Sequence, residues 1–112
     1  MKAVWYRATG PAREVLRCGE VETPSPGRGE VRVRVAASGV NPSDTKKRGG
    51  WLGVEMPHPL VIPHSDGAGT VDAVGEGVDP GRIGERVWVW NAQSGARLTS
   101  GSSRGERTAR WW

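Results

Sequence analysis

The stretch that most narrows the possible folds is "EVRVRVAASGV", Glu30–Val40. Val31, Val33 and Val35 alternate with Arg32 and Arg34. That is the two-residue period of a strand with one face buried and the other in water. Shorter runs of the same character recur. Met1–Arg7 carries Ala3, Val4, Trp5 and Tyr6, Val15–Glu22 forms a second run, and Gly67–Val74 and "RVWVW" (Arg86–Trp90) follow the main strand. Between them lie turn clusters, "TPSPGRGE" (Thr23–Glu30) and "GEGVDPGRIGE", in which prolines fix φ and glycines permit it to be positive. With 17 glycines and 8 prolines in 112 residues, the chain predicts many turns and short strands. The fold class is mainly β, a barrel or a sandwich, in one small domain.

One short helix interrupts the strands. Asn41-Pro42 ends the valine-rich run, Pro42 suits the first helical position, and Asn41 suits the N-cap, so Ser43–Arg48 completes one or two turns. Gly49–Ile62 reads as an irregular loop that Trp51 and Met56 could anchor.

The chain ends differently. In Ser94–Trp112, 13 of 19 residues are Gly, Ser, Thr or Arg, with no period of a strand or a helix. This composition predicts a disordered basic tail, because it cannot bury enough apolar area to offset its ordering entropy. The tail also explains the charge. Residues 1–93 hold 12 Lys/Arg against 11 Asp/Glu, whereas 94–112 hold Arg97, Arg104, Arg107 and Arg110 against Glu106. In the body, basic residues are interleaved with acids rather than clustered on one face, which argues against a nucleic-acid partner. A single cysteine, Cys18, excludes an internal disulfide and a four-cysteine zinc site. The N-terminus lacks the apolar core of a signal peptide and no run is long enough for a membrane helix. These features imply a soluble cytoplasmic protein without a membrane partner.

Two signals bear on chemistry. "GAGTVDAVGEGV" contains Gly67, Gly69, Gly75 and Gly77, but Asp72 stands three after Gly69 and strand formers follow. A dinucleotide fingerprint needs its third glycine there and a helix beyond. Glycines inside a strand mark bulges or close backbone approach instead, which suits Gly67, Gly69 and Gly75. For metal, His58 and His64 lie six apart with Asp66 nearby, and Cys18 is 40 residues from His58. That is a poor ligand set for zinc, which takes about four ligands. His58, between Pro57 and Pro59, reads as an exposed loop residue.

Three ordered segments, "GEVRVRVAASGVNPSDTKKRGG", "HPLVIPHSDGAGTVDAVGEGV" and "PGRIGERVWV", resemble the N-terminal half of the medium-chain dehydrogenase/reductases. Within that superfamily they are most similar to the zinc-independent quinone oxidoreductases, over Met1 to about Gln93. The resemblance implies a GroES-like, partly open β-barrel spanning 1–93. A Rossmann domain would complete it, and the chain is expected to lack one. Zinc-dependent relatives carry a cysteine where this chain has Asn41, in "GVNPSD". They carry a ligand histidine where it has Ser65, in "HSDGAG", and glycine where it has His64. The resemblance therefore implies no metal at these positions.

It further implies an NADPH cofactor, with Asn41 hydrogen bonding near the nicotinamide ribose, unless Asn41 serves purely as an N-cap. Asp44 matches an acid behind the site, or only braces the loop. Lys46 replaces a tyrosine that touches the cofactor in many quinone reductases, and either meets a cofactor phosphate or is simply solvated. Ser43 matches a hydroxyl that relays protons in zinc enzymes, a role that lapses without metal-bound water. The catalytic residues stay unassigned.

The expected function is the substrate-side domain of an NAD(P)H-dependent quinone or enone oxidoreductase, with a small-molecule quinone or enone as partner. The change of character after "VWVWNAQ" leads us to expect a truncated or frame-shifted product, inactive alone. The alternative is a non-catalytic GroES-like module acting through association, for example as a homodimer.

Overall fold

The structure is a computed structural model. It describes residues 1–53, 55, 56, 58–90, 96–100 and 107–111, with the backbone alone for 52, 96–100 and 107–111. In chain order the elements are β1 (Lys2–Trp5), α1 (Ala12–Val15), β2 (Arg17–Glu20), β3 (Val31–Gly39), α2 (Pro42–Arg48), β4 (Asp66–Val74), β5 (Arg86–Trp90), β6 (Ala96–Ser100) and β7 (Arg107–Trp111). Single turns of 3-10 helix occupy Trp51–Gly53 and Pro80–Arg82. No helix among the described residues is long and apolar enough to cross a membrane. The chain divides into two compact units, Met1–Glu22 with Val40–Pro63 and Thr23–Gly39 with His64–Trp112.

The second unit holds the barrel. β3 pairs antiparallel with β4, β4 with β5, β5 with β6, and β6 with β7. β7 then pairs in parallel with β3, which closes the ring of pairings. The closing seam covers Val31–Val33 of β3 only, so beyond it β3 is held from the β4 side. The barrel is partly open in that sense.

Along β3 the alternation of the sequence becomes an alternation of environment. Val31 and Val33 are buried, Arg32 and Val35 are half-buried, and Arg34 is exposed. Val71 of β4, Val78 of the following turn, and Val87 and Val89 of β5 complete the core, with Val74 packed against it. Each fully buried valine contributes roughly 1.5–3 kcal/mol of transfer free energy. On the outer face Arg32 pairs with Asp72 at 2.8 Å and also donates to the Pro24 carbonyl.

Two register shifts, between Arg32 and Val33 and between Val35 and Ala37, bend the β3–β4 pair. Glycine makes that bend possible. A Cβ on Gly69 would lie 2.2 Å from the Arg34 carbonyl oxygen, and one on Gly75 would lie 1.8 Å from that of Gly27. Close backbone approach is thus the role of both residues.

Of the segment 94–112 that composition assigns to a disordered tail, Ala96–Ser100 and Arg107–Trp111 form β6 and β7, and the rest lies outside the described residues. These two strands pair with the edges of β5 and β3, and backbone pairing of this kind does not require side-chain alternation.

In the first unit β1 and β2 form a two-stranded antiparallel sheet, from Lys2 opposite Glu20 to Trp5 opposite Arg17. Tyr6 extends it by an antiparallel bridge to Val61, with both hydrogen bonds at 3.0 Å. The one helix expected from sequence forms as α2, and a second, the single turn α1, precedes β2. Pro11 supplies its fixed φ of −60° at the start, and the Leu16 N–H closes it on the Ala12 carbonyl. Trp51 does not anchor the loop after α2. It is 57% exposed, while Met56 is half-buried.

Candidate cofactor-side site

The short helix α2 and its N-cap carry Asn41, Asp44 and Lys46, the three residues expected on the cofactor side. Asn41 is the N-cap with extended backbone (φ −109°, ψ 156°), and Pro42 begins the helix without needing a hydrogen-bond donor there. The Asp44 carboxylate reaches back to accept the Asn41 backbone N–H at 2.8 Å, as in a capping box, and the Asp44 N–H donates to the Asn41 carbonyl at 3.0 Å. Asp44 is buried. Of the two readings of Asp44, bracing is the one the geometry displays.

Lys46 is exposed, and its Nζ stands 4.5 Å from the centroid of the Trp51 ring. That is cation–π distance. The turn thus offers an amide and an ammonium, while its carboxylate is buried and accepts from backbone. This donor set fits an anionic dinucleotide. Asn41 and Lys46 would hold it, and Asp44 would keep the turn in shape.

Tyr6 reads from sequence only as a strand residue, because no motif or spacing marks it. It is buried at 3% exposure. Burial pushes its phenol above the ordinary value, the Arg48 guanidinium pulls it partly back, and the negative Asp44 adds to the rise. Arg48 also donates to the Gly10 carbonyl, tying the end of α2 to the turn before α1.

In the barrel unit, His64 is the single non-glycine residue with positive φ among the described residues, at 80°. This left-handed backbone explains why the resemblance has glycine at that place. Its Nδ1 lies 2.7 Å from Ser38 Oγ. Ser65, one residue on, is 7% exposed. Among the described residues no group of three or more His, Cys, Asp or Glu side chains is arranged to hold a metal ion. Cys18 is exposed on β2 and His58 is exposed in its loop.

Comparison with known proteins decides the family. The sequence profile of the alcohol dehydrogenase GroES-like domain matches residues 27–110, more than half of the chain. The chain belongs to that family. The matched GroES-like region includes α2, the barrel strands and the Ser38–His64 pair.

Similar proteins place it among the medium-chain dehydrogenase/reductases as a quinone oxidoreductase-like N-terminal domain. A 2-haloacrylate reductase of Burkholderia sp is 41% identical over 93 residues, covering 78% of this chain and 26% of that protein. The quinone oxidoreductase of Rattus norvegicus is 37% identical over 83 residues, covering 73% of this chain and 25% of its own. Among solved structures, a mycobacterial quinone oxidoreductase is 33% identical with a TM-score of 0.67, over 88% of this chain and 30% of that one. The Escherichia coli quinone oxidoreductase complexed with NADPH is 28% identical with a TM-score of 0.69, over 82% and 27%. This chain therefore spans about a quarter of the length of these two curated relatives.

Proposed function

We propose that this GroES-like chain is the substrate-side domain of an NADPH-dependent, zinc-independent reductase of quinones or enones. Asn41, Asp44 and Lys46 form its cofactor-side turn. The observation that carries this reading is the N-cap of α2. An amide side chain stands there, on backbone fixed by the buried Asp44 carboxylate, at the position where zinc-using relatives present a thiolate. Ser65 puts a hydroxyl at the second such position. Neither group is a good zinc ligand.

NADPH, when bound, supplies the hydride. The residues of this chain position and orient. The Asn41 amide is both donor and acceptor without charge, which suits a ribose hydroxyl. The Lys46 ammonium suits a phosphate.

The test is NADPH oxidation with a naphthoquinone. It is measured for the chain alone and mixed with the separately purified nucleotide-binding half of a quinone oxidoreductase relative. Turnover is expected in the mixture only, and about tenfold lower with Asn41→Ala, in line with loss of one positioning hydrogen bond. Turnover in the mixture that Asn41→Ala leaves unchanged would remove the reading.

A second reading, a non-catalytic module acting by association, draws on Trp88 and Trp90. They are 50% and 45% exposed on the outer face of β5. Sedimentation of the purified chain separates the two. A stable oligomer lost with Trp88→Ser, together with no turnover in the mixture, favours association.

A further inference from the structure

His64 is held in the left-handed region, at φ 80°. A side chain there carries a conformational cost that glycine would not. Its imidazole Nδ1 meets Ser38 Oγ at 2.7 Å, across 26 residues of sequence. Ser38 is exposed and His64 half-buried, so the pair is reachable from solvent. A hydrogen bond at the surface returns little net stability. The imidazole is thus kept at a position where glycine would be easier, and it is oriented through one ring nitrogen.

We propose that Ser38 and His64 form a proton-donating pair for the carbonyl oxygen of the substrate, with His64 Nε2 as the donor and Ser38 as the positioning residue. This rests on the quinone or enone reading above. Imidazole is the side chain best suited to hold and release a proton near neutral pH.

A quinone that has accepted a hydride from a dihydronicotinamide carries an anionic oxygen. In the cationic ring, Nδ1–H donates to Ser38 Oγ and Nε2–H points away from it. The Nε2–H bond breaks, an O–H bond forms on the substrate, and its negative charge is neutralised. The ring is left neutral, still donating through Nδ1–H to Ser38, and a proton from solvent restores the cation.

The experiment uses the whole chain and two probes: menadione, a neutral quinone, and lawsone, a naphthoquinone whose hydroxyl is ionised at neutral pH. Affinity is read from tryptophan fluorescence. Ring contacts are read from the imidazole nitrogen NMR signals, where His58 serves as an internal control. Lawsone is expected to bind about tenfold more tightly than menadione, the effect of one charge-assisted hydrogen bond. The His64 Nε2 signal should move while that of His58 stays.

The preference should vanish in His64→Gly, which suits the backbone, and in His64→Asn, which tolerates it but cannot carry the proton. Ser38→Ala should weaken the preference and Ser38→Thr restore it, a pattern a merely structural role would not give. A preference for lawsone that survives His64→Gly, or a His64 Nε2 signal that does not move, overturns the inference. Equal binding of both quinones also removes this inference and leaves the quinone reading standing. Binding of neither by folded chain removes both.

Discussion

The carboxylate of Asp44 accepts the backbone N–H of Asn41 at 2.8 Å, from a residue only 5% exposed. One side chain thus fixes the entry to α2 and the backbone that presents the Asn41 amide. Removing it leaves a helix-terminal N–H without its acceptor. Asp44→Ala should lower stability by about 1–2 kcal/mol, the usual size of a lost cap. Asp44→Asn, which retains an acceptor, should lose less. Denaturant midpoints measure both, and an unchanged midpoint for Asp44→Ala would contradict the bracing role.

Tyr6 is the single tyrosine of the chain, so tyrosinate absorbance reports it alone. Burial raises its phenol above the ordinary 10.0, with Arg48 opposing and Asp44 adding. A group with a raised folded value holds its proton more tightly when folded than when unfolded. Its contribution to stability is complete below pH 10.0 and is lost as pH climbs through the folded value. The tyrosinate midpoint should therefore lie above 10.0 in the native chain and return to 10.0 in denaturant. Tyr6→Phe should flatten the alkaline loss of stability. A native midpoint at or below the denatured one would refute this.

Gly75 and Gly77 separate two reasons for glycine. A Cβ on Gly75 would stand 1.8 Å from the Gly27 carbonyl oxygen, whereas Gly77 has φ 80° with nothing within 4 Å. Gly75→Ala forces backbone apart and should cost about 3 kcal/mol. Gly77→Ala meets only the left-handed penalty, about 1 kcal/mol. Thermal or denaturant unfolding gives the order, and equal losses would contradict the close approach.

What sequence could reveal followed the range of the physics. β3 and β5 were legible because valine alternation is local, and α2 because Asn41-Pro42 is a local start signal with the cap already in it. The turn α1 was not, since four residues after Pro11 carry no amphipathic period. The bulges beside Val33 and Ala37 were equally hidden, because register is a property of the pair. β7 closes on β3, far away in sequence, and β6 pairs with the neighbouring β5 without an alternation of its own to mark it. At the candidate site, the turn holding Asn41, Asp44 and Lys46 was readable from motif and spacing. The Lys46–Trp51 stacking, the burial of Tyr6 and the Ser38–His64 contact were not, being set by how segments up to 55 residues apart in the chain are brought together.

Asn41 and Ser65 put an amide and a hydroxyl where the resemblance implies metal ligands in zinc-using relatives. Metal content of the purified chain, expressed with added zinc and dialysed against a chelator, tests this most directly. Well under one zinc per chain is predicted, with the fold unchanged by the chelator. One zinc retained per chain through the dialysis, or a fold lost to the chelator, would contradict it.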